Sequence, residues 1–258
     1  MRGGAACGLL VLAGCIAPVR GEAAWNRVVL VELFTSQGCS ACPAADALVR
    51  ELPRLGLTRD RVVPLTFHVG YWDDLGWKDP FSSPAFTARQ QWYADTGKLR
   101  SPDAQTSARE IYTPQMVVGG TVHFSGARRQ AALSEIQRAA ATPAPLTLAG
   151  QARIEGEAVL VTVHATGVKA DPRWRLFVAL AQKSARTPVA SGENRGRILE
   201  EAAVVRGLSG PLPLHPASEA SIRLPRPGAL HAPDLEIVAF VQSLDTLEIA
   251  GASALDLR

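Results

Sequence analysis

The chain has no strong excess of either charge, no internal repeat and few cysteines. Its 27 Lys and Arg residues against 24 Asp and Glu leave a formal charge of only +3 over 258 residues. The basic residues form no stripe, which excludes the electrostatic footprint of a nucleic-acid binder. Beyond the N-terminus no apolar run approaches the roughly 20 residues of a membrane-spanning helix. What remains is ample material for a core, since 47% of the residues are apolar. That length holds one large domain or two ordinary ones, with disorder confined to the ends.

The N-terminus reads as an export signal over residues 1–23. Arg2 supplies positive charge, Cys7 to Ala17 is a short apolar run, and Gly21-Glu22-Ala23 places small residues at the positions a signal peptidase reads. A second reading is open: Leu12-Ala13-Gly14-Cys15 resembles a bacterial lipobox, which would make Cys15 a lipid anchor. Either way the expected location is periplasmic or secreted. Of the four cysteines, Cys7 and Cys15 fall in the signal, leaving Cys39 and Cys42 in an oxidising compartment.

Strand and helix signals alternate in the first half. Val28 to Phe34 is a nearly continuous apolar run, as a strand buried on both faces requires. Pro43 suits a first helical turn, because its missing N–H would have no partner there. Ala45, Leu48, Val49 and Leu52 follow at helical spacing. Arg61 to Val69 predicts a second strand, Ser83-Pro84 the start of a helix to about Gly97, and Gln115 to Phe124 a hairpin turning at Gly119-Gly120. Ala127 to Ala141 predicts a last helix. Thr142 to Pro145 has the composition of a linker. After it, short alternating or apolar runs punctuated by Gly and Pro predict strands. Two units are expected, over residues 24–142 and 146–258.

Chemistry concentrates at Cys-Ser-Ala-Cys-Pro, residues 39–43, between the first strand and its helix. A helix N-terminus presents unpaired N–H groups and the positive end of a dipole, which favour thiolate over thiol. Cys39, expected to be exposed, would attack; Cys42, one turn on, would resolve a mixed disulfide. A static disulfide and a metal half-site are the alternatives, with His68 at the end of the second strand as third ligand beside Cys39 and Cys42. Glu32, inside the apolar first strand, is a candidate acceptor for the Cys42 proton. Tyr71, Trp72 and Trp77 lie in an aromatic, Asp-rich segment that either grips an apolar substrate or packs on the core. Gly192 to Arg197 is a charged turn, suited to an anion or to a contact with the first unit.

Together the strand, C-x-x-C helix, Thr113-Pro114 and hairpin resemble the thioredoxin superfamily. That resemblance implies an α/β thioredoxin-like domain with an inserted helical and aromatic segment, followed by a small all-β sandwich-like domain. It also implies a cis Pro114 packed against the cysteine pair, with the Thr113 backbone pairing to an extended substrate. More specifically, Val31–Asp46, Phe67–Phe81, Phe86–Gln90, Tyr112–Val118 and Gly192–Arg206 resemble the secreted bacterial family called domain of unknown function 1223. The expected function is a thiol–disulfide oxidoreductase acting on protein thiols or disulfides, with no cofactor and no nucleic-acid partner. A copper-handling protein similar to the Sco-type chaperones, and a binding module with a vestigial redox site, are the alternatives.

Overall fold

The computed structural model describes residues 25–102, 106–167, 173–214 and 219–258. The expected signal over residues 1–23, with its Cys15 anchor, lies outside the described residues. Among those described, no helix is long and apolar enough to cross a membrane.

Strand β1 (Val29–Thr35) is buried along its whole length, as its apolar run requires. It pairs in parallel with β2 (Val62–His68) and antiparallel with β3 (Gln115–Val118), which turns back into β4 (Val122–Ser125). Helix α1 (Pro43–Glu51) has Pro43 in its first turn and continues as a tighter turn over Leu52–Leu55. It covers one face of β1, where Val29, Val31 and Leu33 meet Ala45, Leu48 and Val49. Helix α3 (Arg129–Ala140) joins that face through Ala132 and Ile136. Helix α2 (Pro84–Thr96) starts where the Ser83 hydroxyl accepts from the Ala85 N–H and stops at Gly97 in the left-handed region. Its Phe86 and Tyr93 pack with Leu30, Phe34 and Phe67 on the opposite face.

Seven strands follow: β5 (Thr147–Glu155), β6 (Ala158–Thr166), β7 (Trp174–Pro188), β8 (Ile198–Pro213), β9 (Glu219–Pro225), β10 (Leu235–Ser243) and β11 (Ile249–Leu257). All eleven strands join one mixed sheet, ordered β4-β3-β1-β2-β8-β7-β10-β11-β5-β6-β9. The junction is β8, which lies parallel to β2 at Thr66 and Val204, with the Thr66 hydroxyl donating to the Ala202 carbonyl at 2.7 Å. Phe177 and Phe240, from β7 and β10, enter the same core cluster as Phe34 and Phe67.

The fold is therefore mostly sheet, with three short α-helices among the described residues. This overturns the expected α/β thioredoxin-like domain followed by a separate all-β domain. The individual elements of the first half form close to where the sequence puts them. Their apolar periodicity reports which faces are buried, but not which strand lies alongside. The flank of β2 is taken by a strand more than 130 residues distant in sequence, as the Thr66–Ala202 bond shows.

Candidate functional site around the Cys39–Cys42 disulfide

Beyond Thr35 the chain winds into α1 through two tight turns. The Cys39 N–H donates to the Ser36 carbonyl and the Cys42 N–H to the Cys39 carbonyl, each at 3.2 Å. Cys42 occupies the N-cap of α1, directly before Pro43. Cys39 and Cys42 are joined in a disulfide, with their Cα atoms 5.5 Å apart. The expectation of an exposed Cys39 is corrected: it is 1% exposed and Cys42 0%, while Ser40 and Ala41 between them face solvent.

The cover comes from the charged turn between β7 and β8. That turn is closed by bonds between Val189 and Arg197 and between Gly196 and Val189. Asn194, fully buried, donates from its side-chain amide to the carbonyls of Gln37 and Cys39, at 2.9 Å each. The Glu193 carboxylate accepts from the Ser40 N–H at 3.0 Å, and its bonds to Ser40 hold it below the ordinary carboxylate range. Of the two sequence readings of Gly192 to Arg197, the structure shows the contact: the turn sits on the cysteine segment.

The aromatic segment flanks the same loop. The Trp72 indole N–H donates to the Thr113 hydroxyl at 2.8 Å, while the Trp72 Cβ lies against Gly38. One side chain thus bridges the cysteine loop and the Thr113–Pro114 segment, whose peptide bond is cis. Trp77 donates to the Gln37 side-chain oxygen at 3.1 Å and backs onto Gly192 of the covering turn. Tyr71 is 38% exposed, and burial of its hydroxyl pushes its pKa up to about 12, opposed by bonds to Gln90 and Thr113.

Sequence reasoning missed the buried polar cluster beneath α1. His68 and Asp79 are joined at 2.7 Å between Nδ1 and Oδ2, both side chains fully buried. Asp79 also accepts from the N–H groups of Gln37 and Phe81. Burial alone would raise Asp79, but His68 and these donors hold it below its ordinary range. Gln37 donates to both Glu201 oxygens, at 3.0 and 3.1 Å, from the sheet junction. Burial raises Glu201, with His68 and Gln37 opposing. Asp46, in the first turn of α1, is pushed up to about 7 by burial; His68 opposes this and the Glu201 and Asp79 charges add to it. Burial would lower His68, but Asp79, Glu201 and Asp46 outweigh it and hold the imidazole above its ordinary value.

Glu32, expected to accept the Cys42 proton, is placed elsewhere. Alternation along β1 puts it on the face opposite α1, where Arg89 and Tyr93 each hold one of its carboxylate oxygens at 2.5 Å. Gln242 completes that network through Arg89 and Tyr93. The ligand set Cys39, Cys42 and His68 does not assemble either. The two sulfurs are bonded to each other, and the His68 Nδ1 is taken by Asp79. Among the described residues no group of three or more His, Cys, Asp or Glu side chains is placed to hold a metal ion.

No curated protein matches this sequence. Among solved structures, a protein from Agrobacterium tumefaciens is 24% identical, with a TM-score of 0.64 and coverage of 90% of this chain and 96% of that one. HBP35 of Porphyromonas gingivalis is 14% identical, with a TM-score of 0.60 and coverage of 92% and 77%. Both likenesses establish the fold alone. Residues 30–242, most of the chain, match the family described as Protein of unknown function (DUF1223), and the chain belongs to that family.

Proposed function

We propose that this protein is an exported thiol–disulfide oxidoreductase whose working pair is Cys39 and Cys42, with protein thiols or disulfides as substrates. The observation that carries the reading is the disulfide at the start of α1. A thiolate released there meets the positive end of the helix, which stabilises it and makes it a better leaving and attacking group. A carboxyl with a pKa of about 7 lies one helical turn behind Cys42, suited to receiving a thiol proton near neutral pH.

In this reading Cys39 forms the mixed disulfide and Cys42 resolves it. The Thr113–Pro114 segment, tied to the cysteine loop through Trp72, forms one wall of the substrate edge. Tyr71, 38% exposed and bonded through its hydroxyl to Thr113, supplies apolar surface beside it, and Trp77 braces the cysteine loop. The apolar N-terminal run and the disulfide both suit an oxidising compartment.

The test is the redox equilibrium of the purified protein with reduced and oxidised glutathione, read by thiol trapping and mass measurement. A cysteine pair that exchanges reversibly and titrates to a defined two-electron potential supports the proposal. A pair that stays oxidised through the whole glutathione range, in folded protein, leaves only a structural crosslink.

A further inference from the structure

Three polar atoms are buried together under α1: the Thr35 hydroxyl, which lowers the Asp46 carboxyl by hydrogen bonding, Asp46 Oδ1, and His68 Nε2, which has no partner among the described residues. They belong to one place. Alternation puts Thr35 of β1 and His68 of β2 on the face that α1 covers, directly opposite one another in the parallel ladder. Asp46 comes down on them from the helix. A buried carboxyl, imidazole and hydroxyl gathered in one place cost desolvation free energy, which marks the cluster as more than packing.

Asp46 stands four residues after Cys42, and its N–H donates to the Cys42 carbonyl at 3.1 Å. Positions i and i+4 share a helix face, and side chains tilt toward the helix N-terminus. The carboxyl of Asp46 therefore leans toward Cys42. On the far side, Glu201 lines an open groove of about 600 Å³ between α1 and the strands β7 and β8, together with Val49, Arg50 and Ser184. The groups facing this chain are Asp79 from the segment before α2 and Arg50 from α1 itself.

We propose that Asp46 takes up and returns the Cys42 proton, and that His68 and Glu201 connect it to the groove. The proposal rests on the thiol–disulfide reading above and deepens it. When Cys39 carries a substrate sulfur as a mixed disulfide, the Cys42 S–H gives its proton to the Asp46 carboxylate. The Cys42 thiolate attacks the Cys39 sulfur, the Cys39–Cys42 bond forms, and the bond to the substrate sulfur breaks. The substrate leaves as a thiolate with the electron pair and takes a proton from water. In reverse, a substrate thiolate attacks Cys39, and Asp46 protonates the departing Cys42 thiolate. Either way the proton on Asp46 must be exchanged with solvent while the cysteines are covered. His68 feels the charges of both Asp46 and Glu201, and Glu201 lines the groove.

The experiment is the pH–rate profile, from about pH 5 to 9, for disulfide formation when the reduced protein is mixed with oxidised glutathione. The wild type is expected to show an inflection near the Asp46 value of about 7. Asp46→Asn is expected to lose that inflection and to slow on the order of 100-fold at pH 7; Asp46→Glu restores part of both. His68→Gln and Glu201→Gln are expected to displace the inflection, since both charges act on Asp46. A folded Asp46→Asn variant with the wild-type profile overturns the proposal. If that variant does not fold, unshifted profiles in both His68→Gln and Glu201→Gln overturn it instead. A wild type that shows no exchange at any pH defeats the oxidoreductase reading, and the proton route falls with it. Exchange in the wild type with an unchanged Asp46→Asn profile defeats the proton route alone.

Discussion

The buried side-chain amide of Asn194 donates to the Cys39 carbonyl, so a residue from the β7–β8 turn holds the backbone of the first cysteine. The same amide holds the Gln37 carbonyl at 2.9 Å. Asn194→Ala removes both bonds; the Cys39 carbonyl keeps the Cys42 N–H, while the buried Gln37 carbonyl loses its donor, at a cost of about 1–3 kcal/mol. It also loosens the cover over the disulfide. Reduction by dithiothreitol, followed by thiol titration, should be faster in this variant than in the wild type. Brief iodoacetamide treatment of the reduced variant should label Cys39 ahead of Cys42, because the released contact is to Cys39. Unchanged reduction kinetics in a folded, destabilised variant would show that the turn does not limit access.

Stability should peak on the acid side of neutrality. Asp46 stands at about 7 in the folded protein against an ordinary value of 3.8, so the folded state binds the extra proton between these values. Its contribution therefore falls as pH rises from about 4 to 7. The largest cause is burial, and the shift corresponds to on the order of 4 kcal/mol at most. His68, held above its ordinary 6.5, contributes stability that is full below that value and lost as pH rises through its folded value. Asp79, held below 3.8, acts in the opposite sense and loses its contribution only as pH falls through its lowered value. Urea unfolding across this range should show wild-type stability declining between about pH 4 and 7. Asp46→Asn should flatten that decline, and an Asn variant as steep as the wild type would remove Asp46 as its source.

Much of the local structure was legible in the residues. The apolar run at Val28 to Phe34, Pro43 after the second cysteine, Ser83-Pro84 and Gly119-Gly120 each mark an element by backbone chemistry acting over a few residues. The joining of β8 to β2 was not legible, because a buried flank on β2 asks for some partner and names none. Asp46 was hidden for a different reason: an acid in the first turn of a helix looks like an exposed group favoured by the dipole. Its spacing of four from Cys42, in step with the buried Ala45 and Val49 stripe, was the available signal. Glu32 was misleading because alternation along β1 says it faces a core, while only the placed Arg89 shows which one and with what partner.

Arg89 and Glu32 form a buried ion pair, and removing one partner leaves the other uncompensated. Arg89→Met should destabilise by about 3–5 kcal/mol. The double variant Arg89→Met with Glu32→Leu should recover a substantial part of that loss, since the isolated charge is gone. Chemical denaturation of the two variants measures both quantities. A double variant no more stable than the single one would mean that packing around the guanidinium, rather than charge pairing, carries the effect.

Gly192 offers an independent handle on the covering turn. Its φ of +73° lies in the left-handed region, and an added Cβ would stand 2.9 Å from the Trp77 Cβ. Neither atom is the end of a flexible side chain, so Gly192→Ala must either push Trp77 away from Gln37 or lift the turn from the cysteines. Gly156 supplies the control: its φ is +58°, and nothing lies within 4 Å of its added Cβ. Gly156→Ala therefore carries only the backbone strain, of roughly 1 kcal/mol. Both variants should lose stability, but only Gly192→Ala should accelerate reduction of the Cys39–Cys42 disulfide by dithiothreitol. Equal rates in the two would separate the turn from the chemistry of the cysteines and leave Asn194 and Glu193 as structural ties alone.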